Sequence, residues 1–239
     1  MNARRVLLLI LLMTSQILTY AQSSKNNDEF FILGTISDFD GRRQNPDFKN
    51  QFDYYYQYEK PVVAHVDSLL KKDYPKQSYD LRFNGNQYEI RSADLLGVFD
   101  KYFKYKASSS STMEHGKIFY GVLKDSIFKT DAEKLAFLAG AYSRFGQARD
   151  TAYCIWIACS VSKVSVCNKI LKEFNCKPSF QIVNNTPTGV VVYFHPDKKV
   201  AAYLEKYNYL RKGVDKELHV MIDSMMTESK KRKALKSKQ

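Results

Sequence analysis

Forty-seven residues, Thr130 to Cys176, hold the only tryptophan of the chain and all four of its cysteines, and they constrain the fold more than any other stretch. Thr130-Asp131-Ala132-Glu133 reads as a capping box: the Thr side chain accepts from the N3 amide while Glu133 reaches back to the N-cap amide. Leu135, Leu138, Ala139 and Tyr142 then recur at helical spacing, and Gly146 offers a left-handed stop, which predicts a helix over 131–145. The texture changes at Tyr153-Cys154-Ile155-Trp156-Ile157-Ala158-Cys159, which is short, β-branched and aromatic with no polar face, as in a strand buried on both faces. From Ser162 the 3.6 period returns through Val164, Cys167, Leu171 and Phe174, and Asn175 to Pro178 ends that helix.

The Asn84-Gly85 pair marks a two-residue hairpin that sets Leu81 against Tyr88 and Tyr79 against Ile90, at the cost of Asp80 opposite Glu89. Ser92 caps a helix through Leu95, Leu96, Phe99 and Phe103. Phe30 to Ile36 reads as a first strand. Asn45-Pro46-Asp47 opens a helix that carries Phe48, Phe52, Tyr55 and Tyr56 on one face, with a kink or a fresh start at Pro61. Ala107 to Gly116, with four consecutive serines, reads as a flexible link. Lys117 to Leu123 fits a strand or a helix equally. Two strands follow at 180–183 and 189–194, then a helix from Asp197 to before Gly213, and a last helix near 215–226, with a strand at 218–222 as the minority reading.

These elements predict an α+β fold with antiparallel or mixed sheets packed against helices, arranged as two halves with the β-α-β-β-α(-β) order of ferredoxin-like folds. One continuous α+β sheet is the alternative. The divisions expected are a signal peptide at 1–21, a polar leader at 22–29, an N-terminal half at 30–123, a connecting helical segment at 124–151, a C-terminal half at 152–223 and a basic tail at 224–239.

Export is expected from the first 21 residues: Arg4 and Arg5 precede an apolar run from Val6 to Leu18, and Thr19-Tyr20-Ala21 is a small-residue cleavage site. That run is shorter than the ~20 residues a membrane span needs. Cleavage would lower the formal net charge from +12 to +10, of which the tail from Ser224 carries +5. Lys230, Lys231, Arg232 and Lys233 are therefore the candidate contact to a polyanion or an anionic membrane surface, although such a tail is commonly a frayed, solvated end. An exported chain with Cys154, Cys159, Cys167 and Cys176 raises disulfides among these four, with buried thiols as the alternative.

Catalytic signatures are sparse. Asp38-Phe39-Asp40-Gly41 after an apolar run resembles the local form of haloacid dehalogenase-type phosphatases, which implies Asp38 as nucleophile and Asp40 as acid/base beside Mg²⁺. The residue after Gly41 is Arg42, however, where Thr or Val is usual, and no paired acidic motif follows downstream. His195, beside Pro196 and Asp197, is the candidate partner for a nucleophilic cysteine. The cysteine spacing lacks a C-x2-C pair, so neither a metal site nor a cofactor is expected. The function expected on this basis is an exported, secreted or periplasmic, non-enzymatic binding protein with an unspecified macromolecular partner. The alternative is a secreted hydrolase of phosphate or acyl esters using Asp38 and Asp40, or a cysteine with His195.

Overall fold

The apolar run at residues 30–36 is not extended. In a computed structural model of the chain, which describes residues 25–38, 43–44, 50–113, 116–124, 126–149, 152–160, 162–184 and 188–236, it belongs to a helix, α1, over residues 25–35. Phe30, Phe31, Ile32, Leu33 and Ile36 are all buried, so the helix is apolar on every side because it runs through the core. A short, unbroken apolar run carries no period that separates a central strand from such a helix. The end of the expected polar leader is also inside α1, where Glu29 is buried and accepts from the Tyr102 hydroxyl at 2.5 Å.

Helix α4 (Asp131–Phe145) is the other central element, and it forms as its capping box predicts: Thr130 Oγ1 accepts from the Glu133 amide at 3.2 Å and Glu133 Oε2 accepts from the Thr130 amide at 3.0 Å. It too is buried on nearly all sides, from Leu135 to Arg144. The two helices touch backbone to backbone. A Cβ on Gly34 would collide with the Phe137 carbonyl, and one on Gly140 would collide with the Phe31 carbonyl and lie 3.2 Å from Gly34 Cα. Glycine at both crossing positions is what lets two helices approach this closely.

Around the pair stand three antiparallel sheets. The short β1 (Arg43–Gln44) belongs to a sheet ordered β1-β6-β5, whose other strands are β5 (Phe103–Met113) and β6 (Gly116–Leu123). The serine-rich stretch expected as a link is thus a hairpin strand, irregular between Ala107 and Thr112, and the undecided 117–123 is its partner. The second sheet is ordered β2-β4-β3, from β2 (Gln51–Tyr56), β3 (Asp80–Phe83) and β4 (Gln87–Arg91). Residues 51–56 are therefore extended where a helix was expected, with Phe52 and Tyr55 buried and Tyr54 and Tyr56 facing away. Helix α2 (Lys60–Asp73) starts afresh at Pro61 and crosses over to the β3-β4 hairpin, after which Ser92 caps α3 (Ala93–Phe99), its Oγ accepting from the Leu95 amide at 3.0 Å.

The hairpin register differs from the expected one by two residues on the facing strand, which keeps every side chain on its expected face. Phe83 opposes Tyr88, Leu81 opposes Ile90, Asp80 opposes Arg91 and Arg82 opposes Glu89. Gly85 takes φ 99°. The expected register placed two carboxylates opposite each other; the observed one replaces that repulsion with two opposite-charge pairs and still matches the apolar side chains.

The third sheet, ordered β7-β8-β10-β9, consists of β7 (Gly146–Arg149), β8 (Ala152–Ala158), β9 (Ser179–Val183) and β10 (Gly189–Phe194). Helix α5 (Lys163–Glu173) crosses from β8 to β9, and α6 (Lys198–Glu205) follows β10, capped by Asp197 Oδ1 accepting from the Val200 amide at 2.7 Å. The strand-helix-hairpin-helix succession occurs in both halves, and in both the first strand pairs with the second strand of the hairpin: β2 with β4, and β8 with β10. What precedes each succession is a buried helix, not a strand. The fourth place in the β8-β10-β9 sheet is filled from before, by β7, and residues 215–226 lie within α7 (Asn208–Lys236), the helix expected there, so the minority reading of a strand at 218–222 falls away.

Two glycines expected as helix stops act otherwise. Gly146 has φ −85° and opens β7 where any side chain would strike Tyr142, and Gly213 lies inside α7, where a Cβ would come within 2.9 Å of Pro61. The basic tail is helical from Ser224 to Lys236. No described helix is long and apolar enough to cross a membrane.

Candidate functional site

Both central helices end on buried cations. Helix ends leave carbonyls without partners, and burying them unpaired is costly. Arg144, in the last turn of α4, donates from Nε to Glu59 Oε1 at 3.0 Å, from Nη1 to Asp53 Oδ2 at 2.9 Å and to the Thr35 carbonyl of α1 at 2.6 Å, and from Nη2 to the Tyr54 carbonyl at 2.6 Å. Its guanidinium also stacks 4.1 Å above the Tyr55 ring centroid. Lys163, the first residue of α5, sends its amine to the carbonyls of Gly34 at 2.7 Å, Leu33 at 3.3 Å and Ile36 at the end of α1. Arg211 of α7 donates to the Arg144 carbonyl at 2.9 Å and pairs with Asp215 at 2.7 Å.

Carboxylates complete this lock. Asp38 accepts from the Lys163 amide at 2.8 Å, the Ser162 amide at 3.2 Å and the Ser160 hydroxyl at 2.6 Å, so it caps α5 from a distant part of the chain. Asp53 also accepts from the Ser37 amide at 2.8 Å, and Glu59 from the Tyr56 amide at 2.8 Å. Burial pulls the Lys163 amine down to about 8 against the opposing pull of Asp38, and burial raises the Glu59 carboxyl despite Arg144 beside it. Apart from Arg211 Nε, which is buried without a hydrogen-bond partner among the described residues, the side-chain donors and acceptors named here are committed to holding the helix pair and the sheets together.

The sheets each turn one face to these helices and one away. In the β7-β8-β10-β9 sheet, Ile155, Ile157, Val192 and Phe194 face the core, while Gln147, Trp156, Gln181 and Tyr193 lie on the other face. Trp156 is 44% exposed and rests on Gly189, where a Cβ would strike the indole nitrogen. The Tyr193 hydroxyl donates to Gln181 Oε1 at 3.1 Å. The outer face of the β2-β4-β3 sheet presents Tyr54, Tyr56 and Gln87 together with two ion pairs along the strands, Arg82 with Asp80 and Arg91 Nη2 with Glu89 Oε1 at 2.9 Å, and Tyr56 stacks on Tyr58 at 5.5 Å between centroids. Lys104 and Lys106 are exposed along β5. Tyrosine, tryptophan, glutamine and arginine on solvent-facing strands are groups that stack on and hydrogen-bond to polar ligands.

The residues singled out from the sequence are placed as follows. Asp38 is buried in the cap just described, which leaves its oxygens occupied instead of poised for attack, and Asp40 lies outside the described residues. His195, at the end of β10, meets Cys176 through the backbone, its amide donating to the Cys176 carbonyl at 3.3 Å. The Cys176 thiol accepts from the Asp197 amide at 3.4 Å, and burial raises it, the reverse of what activates a nucleophile. All four cysteines stand as thiols; Cys154, Cys167 and Cys176 are buried, and burial pushes Cys167 up to about 12. Among the described residues no three His, Cys, Asp or Glu side chains gather as a metal-holding group. Arg144, Lys163, Glu59, Asp53 and Arg211 were not anticipated. One sequence signal did exist: Arg144 interrupts the apolar run Leu138-Ala139-Gly140-Ala141-Tyr142-Ser143, a position where only a paired charge survives.

No protein-family model and no curated protein matches the chain. Solved structures do. The fold resembles that of the homing endonuclease I-DmoI. Variants of that enzyme superpose with a TM-score of 0.50 at 12% identity, over 76% of this chain and 94% of theirs. Full-length DUF199/WhiA from Thermatoga maritima superposes with a TM-score of 0.48 at 12% identity, over 87% of this chain and 68% of that one. The N-terminal LAGLIDADG domain of DUF199/WhiA gives 0.42 at 14% identity, over 76% and 80%. Further structures of I-DmoI are complexes with DNA.

This likeness corrects the functional reading of the sequence. The expectation of an exported, secreted or periplasmic, non-enzymatic binding protein is set aside, because the fold is the one shared with the homing endonuclease I-DmoI; the hydrolase sites read from the sequence lose their ground separately, with Asp38 occupied as a helix cap and the Cys176 thiol raised by burial. The signal-peptide expectation rested on a local run of charge and apolarity at residues 1–21, which lie outside the described residues. It is on the folded body that the likeness rests.

Proposed function

We propose that the chain binds duplex DNA across the outer faces of its antiparallel sheets, with the α1/α4 pair as the rigid support that fixes the sheets relative to each other. The observation that carries this reading is the fold held in common with I-DmoI over 94% of that chain, since I-DmoI is a protein whose structures include complexes with DNA. The composition agrees: the formal net charge is +12, and Arg82, Arg91, Lys104 and Lys106 are exposed on strands. Phosphate neutralisation by such side chains supplies most of non-specific affinity, while Arg and Gln on strands suit base edges in the major groove. Asp53 and Glu59 are paired with Arg144, and Asp38 caps α5 through the Lys163 backbone amide, so these carboxylates support the fold behind the binding faces.

The test is fluorescence anisotropy of a labelled random-sequence duplex against the full chain over a series of salt concentrations. A dissociation constant of roughly 10⁻⁴ to 10⁻⁶ M near physiological salt is expected, tightening as salt falls with a log-log slope of about −0.9 per phosphate contact. Arg82→Glu with Lys104→Glu should weaken binding and flatten the slope by about 2. Absence of binding at low salt would overturn the reading.

A further inference from the structure

We propose that β9 is a self-pairing edge through which two copies of this chain join their four-stranded sheets into one. The β7-β8-β10-β9 sheet ends at β9, so among the described residues no strand lies beyond one side of Ser179–Val183. Exposed edges of this kind normally carry charge, proline or a bulge that discourages pairing. The edge strand β3 follows that rule, with Asp80 and Arg82 among its four residues. Strand β9 does not: its sequence is Ser-Phe-Gln-Ile-Val, with no charge, and Phe180 and Ile182 are 50% and 66% exposed.

The occupant is identified by the strand's own pattern. Antiparallel pairing about a twofold axis at Gln181 sets Gln181 against its counterpart, Phe180 against Ile182 of the second copy, and Ser179 against Val183. Phe180 and Ile182 lie on the sheet face shared with Ile155, Ile157 and Val192. The pairing would therefore place two large apolar side chains from each copy together on that one face, the isologous arrangement that a closed dimer requires. The opposite face would carry two Gln181 side chains flanked by Tyr193 of each copy. No like charges meet across the five residues, so the general repulsion between two basic chains is not concentrated at this seam. The pairing draws on no assumption about DNA.

Gln181→Cys tests it. A residue on the axis faces its own copy with Cα atoms ~4.5 or ~5.5 Å apart, depending on the ladder position. Both separations fall within the ~4.4–6.8 Å a disulfide spans. Mild oxidation of the full-length variant should give a covalent dimer on a non-reducing gel well above the background that the wild-type thiols set. Ser179→Cys alone should stay at background, because its counterpart is Val183, whereas a mixture of Ser179→Cys and Val183→Cys chains should cross-link. Sedimentation of wild type should show a dimer at high concentration that Ile182→Lys removes while circular dichroism stays unchanged. Equal cross-linking by Ser179→Cys and Gln181→Cys would overturn the register. A wild type that sediments as a monomer throughout, with Gln181→Cys at background, would overturn the pairing itself.

Discussion

Arg144 commits its guanidinium wholly to the interior: two carboxylates, two backbone carbonyls and an aromatic face surround it. Removing one partner from a buried ion cluster leaves the others charged and unpaired, which costs about 3–5 kcal/mol. Arg144→Met should therefore lower the urea midpoint by that equivalent, and Arg144→Lys should recover only a minor part, since a single ammonium cannot reproduce the planar fork. Lys163 makes a different prediction. The folded chain holds this amine at about 8 and the unfolded chain at its ordinary 10.5, so between those pH values the unfolded state binds more protons and stability rises with pH. The stability of wild type relative to Lys163→Met should increase from pH 8 towards 10, as read by urea titrations at each pH; a flat difference would mean that the amine is not held down by its burial. At this scale the sequence marked Asp38 as unusual and misassigned its work, because a capping carboxylate and a nucleophilic one look alike until their hydrogen-bond partners, here more than 120 residues away, are known.

Elements with a local cause were legible. The Thr130 capping box, the Ser92 cap and the Asp197 cap each rest on a side chain reaching an amide three residues on. Helix α1 was not legible, since its apolar surround answers to α4 and not to its own period. Two glycine substitutions separate local from tertiary effects. Gly97, exposed within α3 with open space around its Cβ position, should gain up to ~1 kcal/mol as Ala through helix propensity. Gly140→Ala should instead lose stability in the same assay, because the added methyl meets the Phe31 carbonyl and must push the helices apart. If both variants gained, the close crossing of α1 and α4 would be wrong. The hairpin register is intermediate: the turn residues announced the hairpin, but the two-residue shift from the expected register is favoured by setting Asp80 opposite Arg91 and Arg82 opposite Glu89.

For the whole molecule, the succession of strand, helix, hairpin and helix was visible in the second half together with the helix α4 that precedes it, while in the first half the buried helix α1 was read as the strand and the true strand β2 as a helix. The sheet faces that this arrangement exposes, not the buried lock, are where a large ligand can reach. Trp156 is the only tryptophan in the chain and lies on one of those faces, 44% exposed. The most direct measurement is thus its emission during titration with duplex DNA, beside anisotropy of the labelled duplex in the same samples. Binding at the outer sheet face predicts a saturable change in Trp156 emission that follows the anisotropy and is reversed by salt. Anisotropy that reports binding while the emission stays constant, or no binding by either signal, would contradict it.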